Sequence, residues 1–239
     1  MKNKLLIIIL LIGLNCQAQE YLSGFSYATN DFNESRNVRS RGEAIQLPFF
    51  EDFTESVAYT DAMKWQNNNV FVNSGFPIFP TNYNAATFDV LDKTGKVYSH
   101  AISSPFIADS LISKPINLKD LTAADSVYLS FYYQPQGNGD APEESDSLVL
   151  MIGCKTETSL VWNHIWSTEG MTLDSFMLAN DGKYFKQVMI PIADEKYFGN
   201  EIVILFYIYL SIRSSMYPTD RSNVDNWNID FIYLDKKSI

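Results

Sequence analysis

DSVYLSFYYQPQGNGDAPEESDSLVLMIGC, residues 125–154, decides the fold class. Two runs alternate with period two on either side of a polar stretch. Val127, Leu129, Phe131 and Tyr133 share one face of the first, and Leu148, Leu150 and Ile152 share one face of the second. A period of two is the mark of a strand with one buried face. The polar stretch between them, QPQGNGDAPEESD (134–146), holds two Gly, two Pro and four acids, which suits a surface loop and not a core. Asp140, Glu143, Glu144 and Asp146 offer oxygen ligands of the kind calcium takes, but the run lacks the EF-hand order, and a solvated loop is the plainer reading.

The same pattern extends outward. LPFFEDF (47–53), NVFVN (69–73), ATFDVL (86–91), SLISKPINL (110–118), HIWS (164–167), KYFKQVMIPI (183–192), EIVILFYIYLS (201–211) and NWNIDFIYL (226–234) read as further strands. No segment holds an amphipathic helical period over three turns. Roughly ten strands without intervening helices predict a mostly antiparallel sandwich or barrel. In 202–210 the core face is Ile202, Ile204, Phe206, Ile208 and Leu210. The opposite faces are unusual for a surface meeting water: Tyr128 and Tyr132 on one strand, Val203, Leu205, Tyr207 and Tyr209 on another. Either loops or the 19–46 leader cover this second face, or Tyr128, Tyr132, Tyr207 and Tyr209 form a concave aromatic platform where a sugar or a partner chain stacks.

Composition narrows the class. The chain has 239 residues, 46% hydrophobic and 14% aromatic, with two Cys, which excludes a disordered tail and a disulfide-stapled miniprotein. A formal net charge of −10 leaves no electrostatic footprint for nucleic acid or an anionic membrane. Residues 1–18 read as a cleaved signal peptide: Lys2 and Lys4, an apolar run from Leu5 to Leu14, then Cys16-Gln17-Ala18. That run is short of the about 20 residues a membrane span needs, so export to the periplasm, cell surface or medium is expected, without a transmembrane anchor. Lipidation of Cys16 is the alternative, and Asn15 before it disfavours that. Residues 19–46 read as a polar leader in which Arg36, Arg39 and Arg41 are diluted by Asp31, Glu34 and Glu43. Cys154 closes an apolar alternation and reads as a small buried hydrophobe.

The succession LPFFEDF, Trp65, ADSLISKPINL, residues 125–150, WxxIWS (162–167), VMIPI and DNWNIDFIYL resembles a MAM-like, concanavalin-like jelly-roll module of exported Bacteroidetes surface proteins of type IX secretion lineages. The likeness covers about residues 47–235, leaving 236–239 as a tail. It implies a two-sheet antiparallel jelly-roll sandwich whose first strand pairs near its last. It also implies adhesion, self-association or glycan binding, not catalysis. In related jelly rolls an acid of the first strand and an acid of the last hold a structural cation. The matching positions are Glu51 or Asp52 with Asp225 or Asp230, and Asp52 with Asp230 is the pair carried forward for calcium. Asp230 lies between Ile229 and Phe231, where an unpaired carboxylate is costly. Calcium resolves that cost, and so do hydrogen bonds to backbone or to Asn228. The chain ends at Ile239, just past the last expected strand, without the sorting domain such cargo usually carries.

An enzyme is not expected. No E-x-D-x-x-E run places paired carboxylates for glycoside hydrolysis, and neither His100 nor His164 has a GxSxG elbow to serve. Asp-Ser followed by an aliphatic residue, at Ser110, Ser126 and Ser147, resembles an O-glycosylation acceptor pattern, and also suits a capped turn leading into a strand. The expected role is therefore a non-catalytic exported module, without a cofactor other than a structural calcium, that binds a glycan or a protein partner. The alternative is a structural or assembly subunit whose tyrosine face another subunit buries. A glycosidase comes third.

Overall fold

The alternation along 127–133 and 202–210 is realised as two strands of opposite sheets with their apolar faces toward each other. The computed structural model describes residues 43–98, 106–155, 160–210 and 225–236. The signal segment, the leader up to residue 42, His100 and residues 237–239 lie outside the described residues. Strands β1 (Phe49–Glu51), β2 (Phe71–Asn73), β3 (Ala85–Phe88), β6 (Val127–Pro135), β9 (Lys186–Ile192) and β11 (Trp227–Asp235) form sheet I. Strands β4 (Phe106–Ile112), β5 (Ile116–Asn117), β7 (Ser147–Lys155), β8 (Leu160–Glu169) and β10 (Glu201–Leu210) form sheet II. All named strand pairs are antiparallel.

Sheet I runs β2-β3-β11-β6-β9, with β1 against the second half of β11; sheet II runs β4-β10-β7-β8, with β5 on β10. Between β3 and β11 the chain crosses repeatedly from one sheet to the other, and each sheet interleaves early with late strands. That is the jelly roll. The first strand pairs with the last, Phe49 opposite Leu234 and Glu51 opposite Ile232. Two elements depart from expectation. The run 110–118 divides into β4 and β5 around Pro115, whose missing N–H cannot enter a ladder. A two-turn helix, α1 (Leu173–Ala179), stands between β8 and β9; the Thr172 hydroxyl caps it by accepting from Ser175 N, and Leu173 and Phe176 are its buried side.

The core fills the space between the sheets. Val127, Leu129 and Phe131 on β6 and Ile202, Ile204, Phe206 and Ile208 on β10 are fully buried, as the alternation predicts. Phe131 and Phe206 meet edge to face with centroids 4.9 Å apart and ring planes at 74°. Trp166 of β8 stands against Phe131 and Tyr133 at 5.1 Å from each. Burying each such ring contributes on the order of 2 kcal/mol or more. Cys154 is buried in β7 as expected, and burial raises its thiol pKa.

The loop after β6 is tied down. Gly137 sits at φ 65° with Asn138 N donating to Phe76 O at 2.7 Å, and a Cβ on Gly137 would collide with that same carbonyl oxygen. Gly137→Ala therefore combines a left-handed backbone with a backbone clash, and should lower unfolding stability by about 2 kcal/mol or more, read as a reduced urea midpoint. An unchanged midpoint would show that the loop is not held this way. Asp146, expected in a solvated loop, is instead buried at its end, with its carboxylate accepting from Glu143 N at 2.7 Å.

Candidate functional site

The four tyrosines of the expected platform do not meet. β6 belongs to sheet I and β10 to sheet II, so Tyr128 and Tyr132 face outward on one side of the sandwich and Tyr207 and Tyr209 on the other. The topology is the reason: adjacent inward faces of a sandwich force their outward faces apart. On sheet II, Tyr207 and Tyr209 lie across from Ser110 and Ile107 of β4 and Val149 and Ser147 of β7, and Tyr209 is 40% exposed.

On sheet I the tyrosines acquire partners that strict alternation would hide. Trp227 and Ile229 of β11 point into the core, so Phe231 and Tyr233 should follow them. They do not, because the register slips between Asp230, opposite Tyr132, and Tyr233, opposite Ser130. One extra residue on β11 makes a bulge, and Ile232 and Leu234 become the buried positions. Phe231 is held at φ 51°, a left-handed conformation that a bulky side chain rarely adopts. The turned rings join a cluster on the outer face: Phe50 with Phe231 at 5.0 Å, Phe50 with Tyr233 at 6.1 Å, and Tyr132 with Phe231 at 6.1 Å, all edge to face. All four are half-buried. The Tyr233 hydroxyl donates to Asp235 at 3.0 Å.

Asp230 holds the bulge. Its carboxylate accepts from the Thr81 hydroxyl, from Asn82 N at 3.2 Å and from Phe231 N at 2.7 Å. Burial still outweighs these bonds and pushes its pKa up to about 6. The partners are thus the 81–82 segment and the bulge itself; Asn228, the expected partner, accepts instead from the Thr87 hydroxyl at 2.7 Å. The same loop covers the neighbouring part of the face, where Gln134 accepts from Ile78 N at 2.9 Å and donates to Ile78 O at 2.8 Å. The loop thus covers one part of the outer face of sheet I, and the four rings occupy another.

Phe50 also borders an open cleft of about 480 Å³ lined by Asp52, Glu55, Asp61 and Lys64. Glu51 faces its floor but is already used, accepting from Trp65 Nε1 and Phe53 N, both at 2.9 Å, with Lys64 at 3.6 Å. Asp52 accepts from Thr54 N at 3.2 Å and from the Thr54 hydroxyl at 2.8 Å. Asp52 and Asp230 are therefore turned to different partners. Among the described residues no three His, Cys, Asp or Glu side chains are grouped to hold a metal ion.

The three serines differ. Ser110 lies inside β4 rather than at its start, and its hydroxyl accepts from Asn67 Nδ2 at 3.0 Å. Ser147 opens β7 and is half-buried; Ser126, just before β6, is exposed. His164 is exposed on the outer face of β8, across from Met151.

Two buried carboxylates stand where β3 of sheet I comes close to β4 of sheet II. Asp89, beside β3, and Asp109, within β4, are both buried. Asp109 accepts from Asp89 N at 2.9 Å and from the Tyr98 hydroxyl at 2.7 Å, and Asp89 accepts from Leu91 N at 2.6 Å. Burial pushes Asp89 up to about 7. Burial, then the neighbouring Asp89 charge, raises Asp109 well above the ordinary carboxylate range.

The fold and this face define an all-β jelly-roll sandwich with an aromatic strip beside an acidic cleft. No family model matches the chain, and no curated protein matches it. Among solved structures it is similar to the CBM22-1-CBM22-2 tandem domain from Paenibacillus barcinonensis Xyn10C, at a TM-score of 0.43 and 13% identity, over 78% of this chain and 49% of that one, about half its length. It is also similar to CBM28, a non-crystalline cellulose specific carbohydrate-binding module, at a TM-score of 0.37 and 12% identity, over 70% of this chain and 80% of that one. The mannan-recognising module TmCBM27 follows at a TM-score of 0.35 and 12% identity, over 80% and 96%. At these scores the likenesses add nothing to what the strand pairing already shows.

Proposed function

We propose that this protein is a non-catalytic, exported glycan-binding module of the MAM-like jelly-roll kind, and that it binds on the outer face of sheet I. The observation that supports this is the strip of Phe50, Tyr132, Phe231 and Tyr233 opening onto the cleft of Asp52, Glu55 and Asp61. Aromatic rings stack on the apolar C–H faces of sugars, and carboxylates accept from their hydroxyls. Four carboxylates, Glu51 on the floor with Asp52, Glu55 and Asp61, against one ammonium, Lys64, favour uncharged or amino sugars over uronates and sulfated glycans.

Affinity electrophoresis of the purified protein through gels containing neutral, amino-sugar and anionic polysaccharides tests the proposal. Retardation by a neutral or amino-sugar polymer, and none by alginate or a sulfated glycan, is the expected pattern. Free migration through every gel would end the glycan reading.

A further inference from the structure

Among the described residues the two main strand paths end in four edge strands, β2, β9, β4 and β8, and three of these are defended. β2 is three residues long, and Ala58 closes its outer side, donating to Val72 O at 2.8 Å and accepting from Val72 N at 3.3 Å. The free side of β4 is capped by the 66–67 segment: Gln66 N donates to Ile112 O at 2.8 Å, and the Asn67 side chain bonds both Ile112 N and Ser110 O. β9 carries Lys186 and Pro191 within its seven residues. Charge, proline, brevity and covering are the usual devices against edge-to-edge pairing.

Among the described residues β8 has none of them. It is ten residues long, LVWNHIWSTE, without Pro or Lys, and its only formal charge is the terminal Glu169. Leu160 is 38% exposed and Val161 47%. Among the described residues no strand lies on its far side. In a chain of net charge −10, this strip is where a second copy meets no like charge.

We propose that β8 is a self-association edge and that its occupant is β8 of a second copy of this chain, paired antiparallel about a two-fold axis between His164 and Ile165. The register supports a full-length overlap. Against β7, Trp162, Ser167 and Glu169 stand opposite the outward positions Gly153, Val149 and Ser147, Leu160 shares the face of Trp162 two residues on, and Val161 and Thr168 stand opposite the inward positions Cys154 and Leu148. A two-fold pairing sets Leu160 against Glu169 of the partner subunit, Val161 against Thr168 of the partner subunit, and Trp162 against Ser167 of the partner subunit. Every one of these pairs lies on a common face. It does so because Ile165 is an extra residue, the ladder stepping from Trp166 opposite Leu150 to His164 opposite Met151. Without that bulge the two ends of β8 would face opposite sides and full overlap would fail. The pairing joins two copies of sheet II into one continuous sheet and leaves the aromatic strip on sheet I uncovered.

Sedimentation velocity across the micromolar range tests this directly. The protein should show a concentration-dependent dimer. His164→Lys places two like charges beside the axis and should weaken association about fivefold or more, and Ser167→Lys, at a second exposed position, should do the same. Both side chains are exposed, so melting temperatures should stay at the wild-type value. An equimolar mixture of His164→Lys and His164→Glu should form a heterodimer that neither variant matches alone. A wild-type monomer throughout, or a dimer indifferent to both lysine substitutions, would overturn the proposal.

Discussion

Phe231→Gly should reduce glycan affinity about thirtyfold or more while leaving unfolding stability within about 1 kcal/mol of wild type. The two halves of that result come from one residue. Its ring touches both Phe50 and Tyr132, so removing it takes the centre out of the strip. Its backbone stands at φ 51°, where Gly is at ease and Phe is not, so strain relief offsets the lost ring contacts. Tyr209→Ala, on the opposite sheet, is the control and should bind as wild type does. Titration calorimetry with the polymer that retards the protein reads both. If Tyr209→Ala lost binding and Phe231→Gly kept it, the site would belong to sheet II.

Raising the pH from about 4 to about 8 should destabilise the protein by roughly 6 kcal/mol, read from urea midpoints at constant ionic strength. Asp89 titrates near 7 and Asp230 near 6 in the folded chain, against 3.8 for an ordinary aspartate. Between those values the folded state holds protons that the unfolded chain has released. The stabilisation is therefore complete below about pH 4 and is lost as the pH rises through 6 and 7. Asp92, Asp125 and Asp194, whose pKa values are lowered, work the other way, and their contribution goes only as pH falls below the ordinary aspartate range. Asp89→Asn keeps an oxygen for Leu91 N and should flatten the profile. A midpoint that held level or rose between pH 4 and 8 would contradict the burial argument.

The core faces of β6 and β10 were legible because burial on one side of a strand writes itself as alternation, and the pairing of the first strand with the last agreed with the resemblance. Which sheet each strand joins is not written there. Tyr132 and Tyr207 look equivalent along the chain, and only the crossing between sheets separates them. Phe231 and Tyr233 were hidden for the opposite reason: alternation from Trp227 and Ile229 assigns them to the interior, and a single bulge residue reverses the assignment. The pairing of Asp89 with Asp109 is not legible along the chain, because it depends on β3 and β4 lying in different sheets.

The bulge has a consequence for how such a module changes over generations. The hydrophobic code that builds the sandwich is carried by positions such as Ile229, Ile232 and Leu234, whereas the displayed rings depend on one inserted residue and the carboxylate that pins it. Losing that insertion would leave a strand still able to pair but would exchange its two sides from residue 231 onward. Scaffold and display are thus separately heritable, and descendants of one ancestor can keep the sandwich while gaining or forfeiting the strip in a single step.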